Sequence, residues 1–385
     1  ETQRMAHEHR PLFNNHLLSA RMTGFKKQLD PEAQAKLTAW VRDAASGKLR
    51  DSGERNLQGQ FFAEVFGRVL GYGQAIGNNH YHMRVEQGAE LRGAGRPDGT
   101  LGFYEGKDPG QTRVVIELKG PGANLDARQP SYGNITPVGQ AFGYVTQFDD
   151  CRWVIVSNFE TIRLYSKIRG QGYWHEFQVA ELEHPETLRQ FLFLLSRESL
   201  LVEHKGRSQV DVLAAETHIK EEDITKKFYA FYQAVRGRTF RQLVKDNPVP
   251  EGAAQADHEV FLLEKTQRLL DRVLFICFCE DTGLLPPTVI HKALESVGAG
   301  LVPTTRWQQM CGLFHAIDKG HRPWDIPGYN GGLFAPDAAL EALSVADSIL
   351  DDVLTLSDYD FATELNVNIL GHVFEQSISD LEALR

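Results

Sequence analysis

Residues 96–119 constrain this chain more than any other stretch. They open with Arg-Pro-Asp-Gly (Arg96 to Gly99) and close with Val-Val-Ile-Glu-Leu-Lys (Val114 to Lys119). Successive side chains of a strand face opposite sides of a sheet, so Val114, Ile116 and Leu118 share one face while Val115, Glu117 and Lys119 share the other. An acid and a base two residues apart in an apolar strand are unfavourable unless that face meets water or carries chemistry. A second strand is predicted over Gly99 to Tyr104. The intervening Glu105 to Gln111, with Lys-Asp-Pro-Gly inside it, is rich in turn formers, so the two strands should pair as a hairpin. Asp98 at the start of one strand can then approach Glu117 near the end of the other.

Two converging carboxylates suit a hard divalent cation, and magnesium prefers such oxygen ligands while keeping several waters. A cation there can polarise a phosphate and lower the pKa of a water. Lys119 beside it would stabilise negative charge where it develops. The plainer alternative is an edge hairpin with a wet polar face, because a short Asp, Glu-x-Lys pattern arises easily by accident. The flanking elements favour the functional alternative. Asn56 to Tyr72 and Val138 to Phe148 carry helical apolar patterns. Two β-rich runs follow, Arg152 to Ser157 and Thr161 to Ser166, at a hairpin-like spacing. The expected order is α, β, β, β, α, β with an extra strand.

With that order, Pro97-Asp98 and Glu117-Leu118-Lys119 resemble the signature of the PD-(D/E)xK nuclease superfamily. The resemblance implies an αβββαβ restriction-endonuclease-like core, a mixed sheet flanked by helices. It also implies a site built on Asp98, Glu117 and Lys119. Gln140 and Tyr144 resemble the Gln-x-x-x-Tyr pair of several branches; four residues apart, they share a helical face where they could contact the active site or the DNA backbone. The plainer alternative for them is an ordinary polar and aromatic helix face. A third acid is expected on the first helix. Glu54 has the matching position and is preferred, with Glu64 as competitor.

Longer phrases carry the resemblance further. Leu118 to Pro121, Val138 to Tyr144 and Trp153 to Phe159 are similar to the amino-terminal nuclease region of type IIG restriction-modification enzymes. Phe275 to Pro286, Tyr329 to Phe334 and Asn368 to Gln376 resemble the helical connector before their adenine methyltransferase domain. The resemblance implies magnesium, with manganese as a substitute, and double-stranded DNA as partner. It also implies methyltransferase and target-recognition domains or subunits, and a homodimer is compatible with double-strand cleavage. No Asn/Asp-Pro-Pro-Tyr/Phe motif and no glycine-rich S-adenosylmethionine site can be read, so that cofactor would enter only through a methyltransferase part outside this chain. The lack of an initiator Met at Glu1 and the ending Leu381 to Arg385 lead us to expect the front part of a longer protein. A separate modification subunit is the alternative.

A chain of 385 residues exceeds what one core usually organises. We expect a helical amino-terminal brace over 1–50, the nuclease domain over 51–202, a linker over 203–222 and a mainly helical connector over 223–385. One apolar helix is predicted over Leu188 to Leu200, a helix with its following turn over Ile224 to Leu243, and chiefly helical periodicity from Ile224 onward, including Val260 to Asp281 and Ala338 to Val353. There is no apolar run near the roughly 20 residues that span a bilayer, and no secretory signal. Cys151, Cys277, Cys279 and Cys311 have no zinc spacing; Cys277 and Cys279 should pack in a helical core. A prokaryotic cytoplasmic location without membrane contact is expected.

The formal net charge of −10 is not that of a protein that coats DNA generally, so phosphate affinity requires local patches. Arg96, Lys107 and Arg128 flank the proposed site. Lys226 and Lys227, with Arg236, Arg238 and Arg241, form a second group; solvated surface residues are the plainer alternative for each. His80 and His82 could face one metal from a strand, although no downstream histidine cluster matches them. Gly93 to Gly95 and Gly120 to Gly122 lack the Gly-Lys-Ser/Thr ending of a phosphate-binding loop. The expected function is a metal-dependent DNA endonuclease module of a restriction-modification or phage-defence system. The alternatives are a nuclease-like DNA-binding or assembly module with little cleavage, and the front of an adenine-specific DNA methyltransferase.

Overall fold

A computed structural model describes residues 10–85, 95–106, 110–130, 133–202, 206–296, 304–329, 331–361, 365, 371 and 373–375. The chain divides into two compact units after His218.

The first unit is built on a mixed seven-stranded sheet, ordered β1-β7-β6-β5-β4-β3-β2. The strands are β1 (Arg10–Pro11), β2 (His80–Val85), β3 (Gly99–Glu105), β4 (Gln111–Leu118), β5 (Trp153–Ser157), β6 (Thr161–Ser166) and β7 (Tyr173–Gln178). β3 and β4 form the expected antiparallel hairpin, with Gly99 opposite Ile116. β4 pairs in parallel with β5, and β5, β6 and β7 continue antiparallel. β7 and the edge strand β1, which pairs with β7 in parallel, were not foreseen.

Alternation along β4 divides the core in two. Val114, Ile116 and Leu118 pack into the larger cluster, which includes Trp40, Phe61, Phe62 and Phe66. Val115 faces the other way, into a smaller cluster with Val138, Ala141 and Tyr144. The helices that supply these residues are α1 (Asn15–Met22), α2 (Pro31–Ala45), α3 (Glu54–Gln60) and α4 (Pro137–Val145), with α4 lying on β4 and β5. After Gln60, α3 widens into a π-helix over Phe61–Val69. Phe61, Val65 and Val69 recur every four residues, as do Phe62, Phe66 and Leu70. That repeat is longer than the 3.6 residues of an α-turn, and the widened helix keeps all six buried.

The predicted single helix over Leu188 to Leu200 is two, α5 (Pro185–Leu195) and α6 (Arg197–Leu200), because Ser196 is extended and the Arg197 N–H donates to the Leu70 carbonyl. The stretch expected as a linker is largely helical, for α7 runs from Gln209 to Asp246 and the division of the two units falls within it.

The second unit is helical, with α8 (Gln255–Asp281), α9 (Val289–Glu295), α10 (Arg306–Lys319), α11 (Ala338–Glu341) and α12 (Asp347–Leu354) around one core. Cys277 and Cys279 are buried there as expected. The helical periodicity of Ala338 to Val353 is divided between two helices, α11 and α12. Asn247 holds both backbone groups of Ser344, at 2.8 and 2.9 Å, and so keeps the chain between α11 and α12 out of a helical ladder. Most of Asn368 to Gln376 lies outside the described residues. Among the described residues no helix is long and apolar enough to cross a membrane.

Candidate active site

The β3–β4 register places Asp98 one residue beyond the Gly99–Ile116 pair and therefore beside Glu117. The Asp98 Oδ2 accepts the Leu118 N–H at 2.7 Å, taking the place of the next backbone acceptor in the ladder. Glu117 and Lys119 share a face, and the Lys119 Nζ donates to Glu117 Oε1 at 2.6 Å. Both are nearly sealed from solvent, at 2% and 4% exposure. The Lys119 N–H donates to the Ser157 carbonyl at 2.9 Å, so β5 anchors the end of the strand.

Two helices close the site. On one side, Thr136 caps α4 by accepting the Gly139 N–H, and Pro137 takes the first-turn position. That start sets the phase that stacks Gln140 over Tyr144, and the Gln140 Nε2 donates to the Tyr144 hydroxyl at 2.7 Å. The Gln140 Oε1 is buried without a partner. Burial pushes the Tyr144 hydroxyl pKa up; Gln140 opposes this and Glu117 adds to it. The segment that leads to Asp98 rests on the same helix. The Gln147 Nε2 donates to the Gly95 carbonyl at 2.9 Å, and a Cβ on Gly95 would lie 2.6 Å from the Tyr144 ring.

On the other side stands α3. Glu54 is close enough to raise the pKa of Glu117, and its Oε2 lies 3.7 Å from where a Cβ on Gly120 would be. The Gln58 Nε2 is 3.5 Å from Asp98 Oδ1. Glu64 is occupied elsewhere, accepting from Lys36 Nζ at 2.7 Å and Trp40 Nε1 at 2.9 Å to brace α2. Of the two competing acids, Glu54 faces the site. A Cβ on Gly99 would come within 2.5 Å of the Phe62 ring, so only glycine after Asp98 lets the π-helix settle against the strand.

The Glu117 pKa is raised from its ordinary 4.5 to about 8, chiefly by burial and then by the Asp98 carboxylate, against the opposition of Lys119 and with a smaller push from Glu54. Three carboxylates therefore face one ammonium. An oxygen-only donor set of this kind fits a hard cation, whose charge would relieve the crowding. Among the described residues no group of three or more His, Cys, Asp or Glu side chains is arranged to hold a metal ion. The bonds from Lys119 to Glu117 and from the Leu118 amide to Asp98 each occupy one carboxylate oxygen.

The remaining candidates are spread more widely. Arg96 is exposed two residues before Asp98, and Arg128 is exposed in the connection from β4 to α4. Lys107 lies outside the described residues. Lys226 and Lys227 are exposed on α7 in the second unit, where Lys227 pairs with Asp223 at 2.7 Å. In the same unit Arg238 pairs with Asp352 at 2.6 Å, and Arg236 reaches the Gln267 side chain at 3.3 Å. His80 sits 3.8 Å from Glu105 and His82 packs edge-on against Phe103.

Sequence reasoning missed Gln58, although its spacing of four from Glu54 was the available signal. It also missed the clamp on the segment after Lys119. Glu160 accepts from the Gly122 N–H at 3.0 Å and Arg50 Nε at 2.8 Å, while Asn158 Nδ2 donates to the Ala123 carbonyl at 2.9 Å.

The fold and site define the class, a mixed α/β domain with an acid-rich lysine centre at a strand end between two helices. Residues 31–217 match the family model described as MmeI, N-terminal domain, and this part of the chain is similar to that family. The chain is also 21% identical over 327 residues to a protein of Methanocaldococcus jannaschii that bears the provisional name type II restriction enzyme and methyltransferase. That similarity covers 70% of this chain and 27% of the relative, so the chain spans about a quarter of the relative's length. No solved structure matches. The resemblance to the amino-terminal region of restriction-modification enzymes is borne out by the first two comparisons.

Proposed function

We propose that this chain is the metal-dependent DNA endonuclease module of a prokaryotic restriction-modification or phage-defence enzyme, with a PD-(D/E)xK core formed by α3, β2, β3, β4, α4 and β5. The observation that carries the reading is the meeting of Asp98, Glu117 and Lys119 at one strand end, with Glu54 beside them. Asp98 and Glu117, with Glu54 at the edge, would hold magnesium, or manganese in its place. When bound, the ion supplies Lewis acidity that lowers the pKa of a water and offsets phosphate charge.

The chain's own groups do the remaining work. The Lys119 ammonium is fixed by Glu117 where it can stabilise charge that develops on the phosphate, and a donor oriented in advance costs no reorganisation in the transition state. Gln140 and Tyr144 present a rigid pair whose spare amide oxygen can hold a water or a substrate donor. Gly95 packed on Tyr144 keeps the Asp98 segment against α4. Arg96 and Arg128 would meet the DNA backbone; Lys107, Lys226 and Lys227 are further candidates. The helical second unit would connect the nuclease to methyltransferase and target-recognition parts, where S-adenosylmethionine would act, in the cytoplasm. Pairing of two nuclease domains would supply the second cut of a duplex.

The test is magnesium- or manganese-dependent nicking of unmethylated plasmid by this chain and by a longer form carrying a methyltransferase, each beside Asp98→Ala and Lys119→Ala. Cutting lost in both variants supports the reading. A longer form that binds DNA yet never cuts points to a binding or assembly module instead.

A further inference from the structure

The two oxygens of Asp98 have different partners. Oδ2 accepts the Leu118 amide at 2.7 Å, while Oδ1 faces the Gln58 side-chain amide at 3.5 Å. The backbone donor holds one oxygen, and the Gln58 amide adds a contact on the other that opposes rotation of the carboxylate about the first bond. Gln58 is one helical turn after Glu54 on α3, so one helix face offers an acid to the site and an amide to Asp98. The amide is uncharged. It orients Asp98 without neutralising it, whereas a lysine there would oppose cation binding. Groups outside the ligand set commonly control metal affinity by orienting the ligands.

We infer that Gln58 is a positioning residue of the cation site, acting through Asp98; this rests on reading the site as a cation-dependent nuclease centre. At 3.5 Å the contact is long, and loading with a cation is expected to tighten it.

The experiment is titration of the whole 385-residue chain with manganese, followed by electron paramagnetic resonance in the absence of DNA. Wild type is compared with Gln58→Met, which keeps the length and loses the donor, and with Gln58→Ala, which favours the helix. Melting temperatures are taken in chelator. About tenfold weaker manganese binding at an unchanged melting temperature is expected for both. Wild-type affinity in either folded variant overturns the proposal. If wild type itself binds no manganese, the cation-centre reading fails and the proposal falls with it, an outcome told apart from the former by the wild-type titration alone.

Discussion

Each unit of the molecule has a buried cluster of charges, and the two are balanced in opposite senses. In the second unit, Asp337 accepts from Lys265 at 2.8 Å, from Arg268 at 2.7 Å and from the Leu340 N–H at 3.0 Å. Burial alone would raise its pKa, but the two cations hold the carboxyl well below its usual range. Beside it, Arg272 is fully buried and donates to the Leu333 and Ala335 carbonyls at 2.8 and 2.7 Å, tying down the chain before α11. In the first unit, Glu117 is pushed up to about 8, with one ammonium among three carboxylates. Two cations on one carboxylate make a finished structural joint. One buried carboxylate crowded by the half-buried Asp98 and Glu54 makes an unfinished one, which a counter-ion would complete.

The largest effect expected from that contrast is on cleavage. Asp98→Ala should lower magnesium-dependent nicking by about a thousandfold or more, and Lys119→Ala by about a hundred- to a thousandfold. Asp337→Ala, measured per folded molecule, should leave the rate unchanged. Equal losses in all three would erase the distinction between the clusters.

Stability should respond in the reverse pattern. Asp337→Ala leaves the largely buried Lys265 unpaired and is expected to cost about 3–5 kcal/mol, read as a shift in the denaturant midpoint of the second unit.

Acidity provides a smaller and more specific contrast. Between pH 4.5 and about 8 the folded chain holds a proton on Glu117 that the unfolded chain has released. The folded state therefore binds more protons, and its stability falls as pH rises across that window. Melting temperatures in chelator should decline from pH 5 to pH 8, and Glu117→Gln should flatten the decline. An undiminished slope in that variant would assign it to other groups.

The smallest effects belong to the exposed bases. Arg96→Ala and Arg128→Ala should each weaken DNA binding a few-fold and reduce the salt slope by about one. Lys227→Ala should leave the melting temperature essentially unchanged, because its pair with Asp223 is exposed.

Local pattern made much of this legible. Period-two alternation assigned Val114, Ile116 and Leu118 to one core face and Val115 with Glu117 to the other. Turn formers between Glu105 and Gln111 marked the hairpin, and Pro137 marked the start of α4. Less visible were features whose cause lies elsewhere in the chain. β1 exists because β7 offers it an edge, and Ser196 breaks a helix where the next residue's amide meets the Leu70 carbonyl. The helical character of residues 209–222 was hidden by their polarity, since a helix with mixed faces lacks a clean apolar stripe.

The site divides along the same line. The sequence by itself determined which side of β4 carries Glu117 and Lys119, because alternation is a property of the strand backbone. Only the tertiary structure decided between Glu54 and Glu64, which lie ten residues apart on one continuous helical run. The π-helix and the packing of α2 turned Glu64 toward Lys36 and Trp40, leaving Glu54 and Gln58 for the strand end. The perturbed acidity of Glu117 was likewise decided by the fold, since burial and neighbouring charge are set by which elements close over a residue.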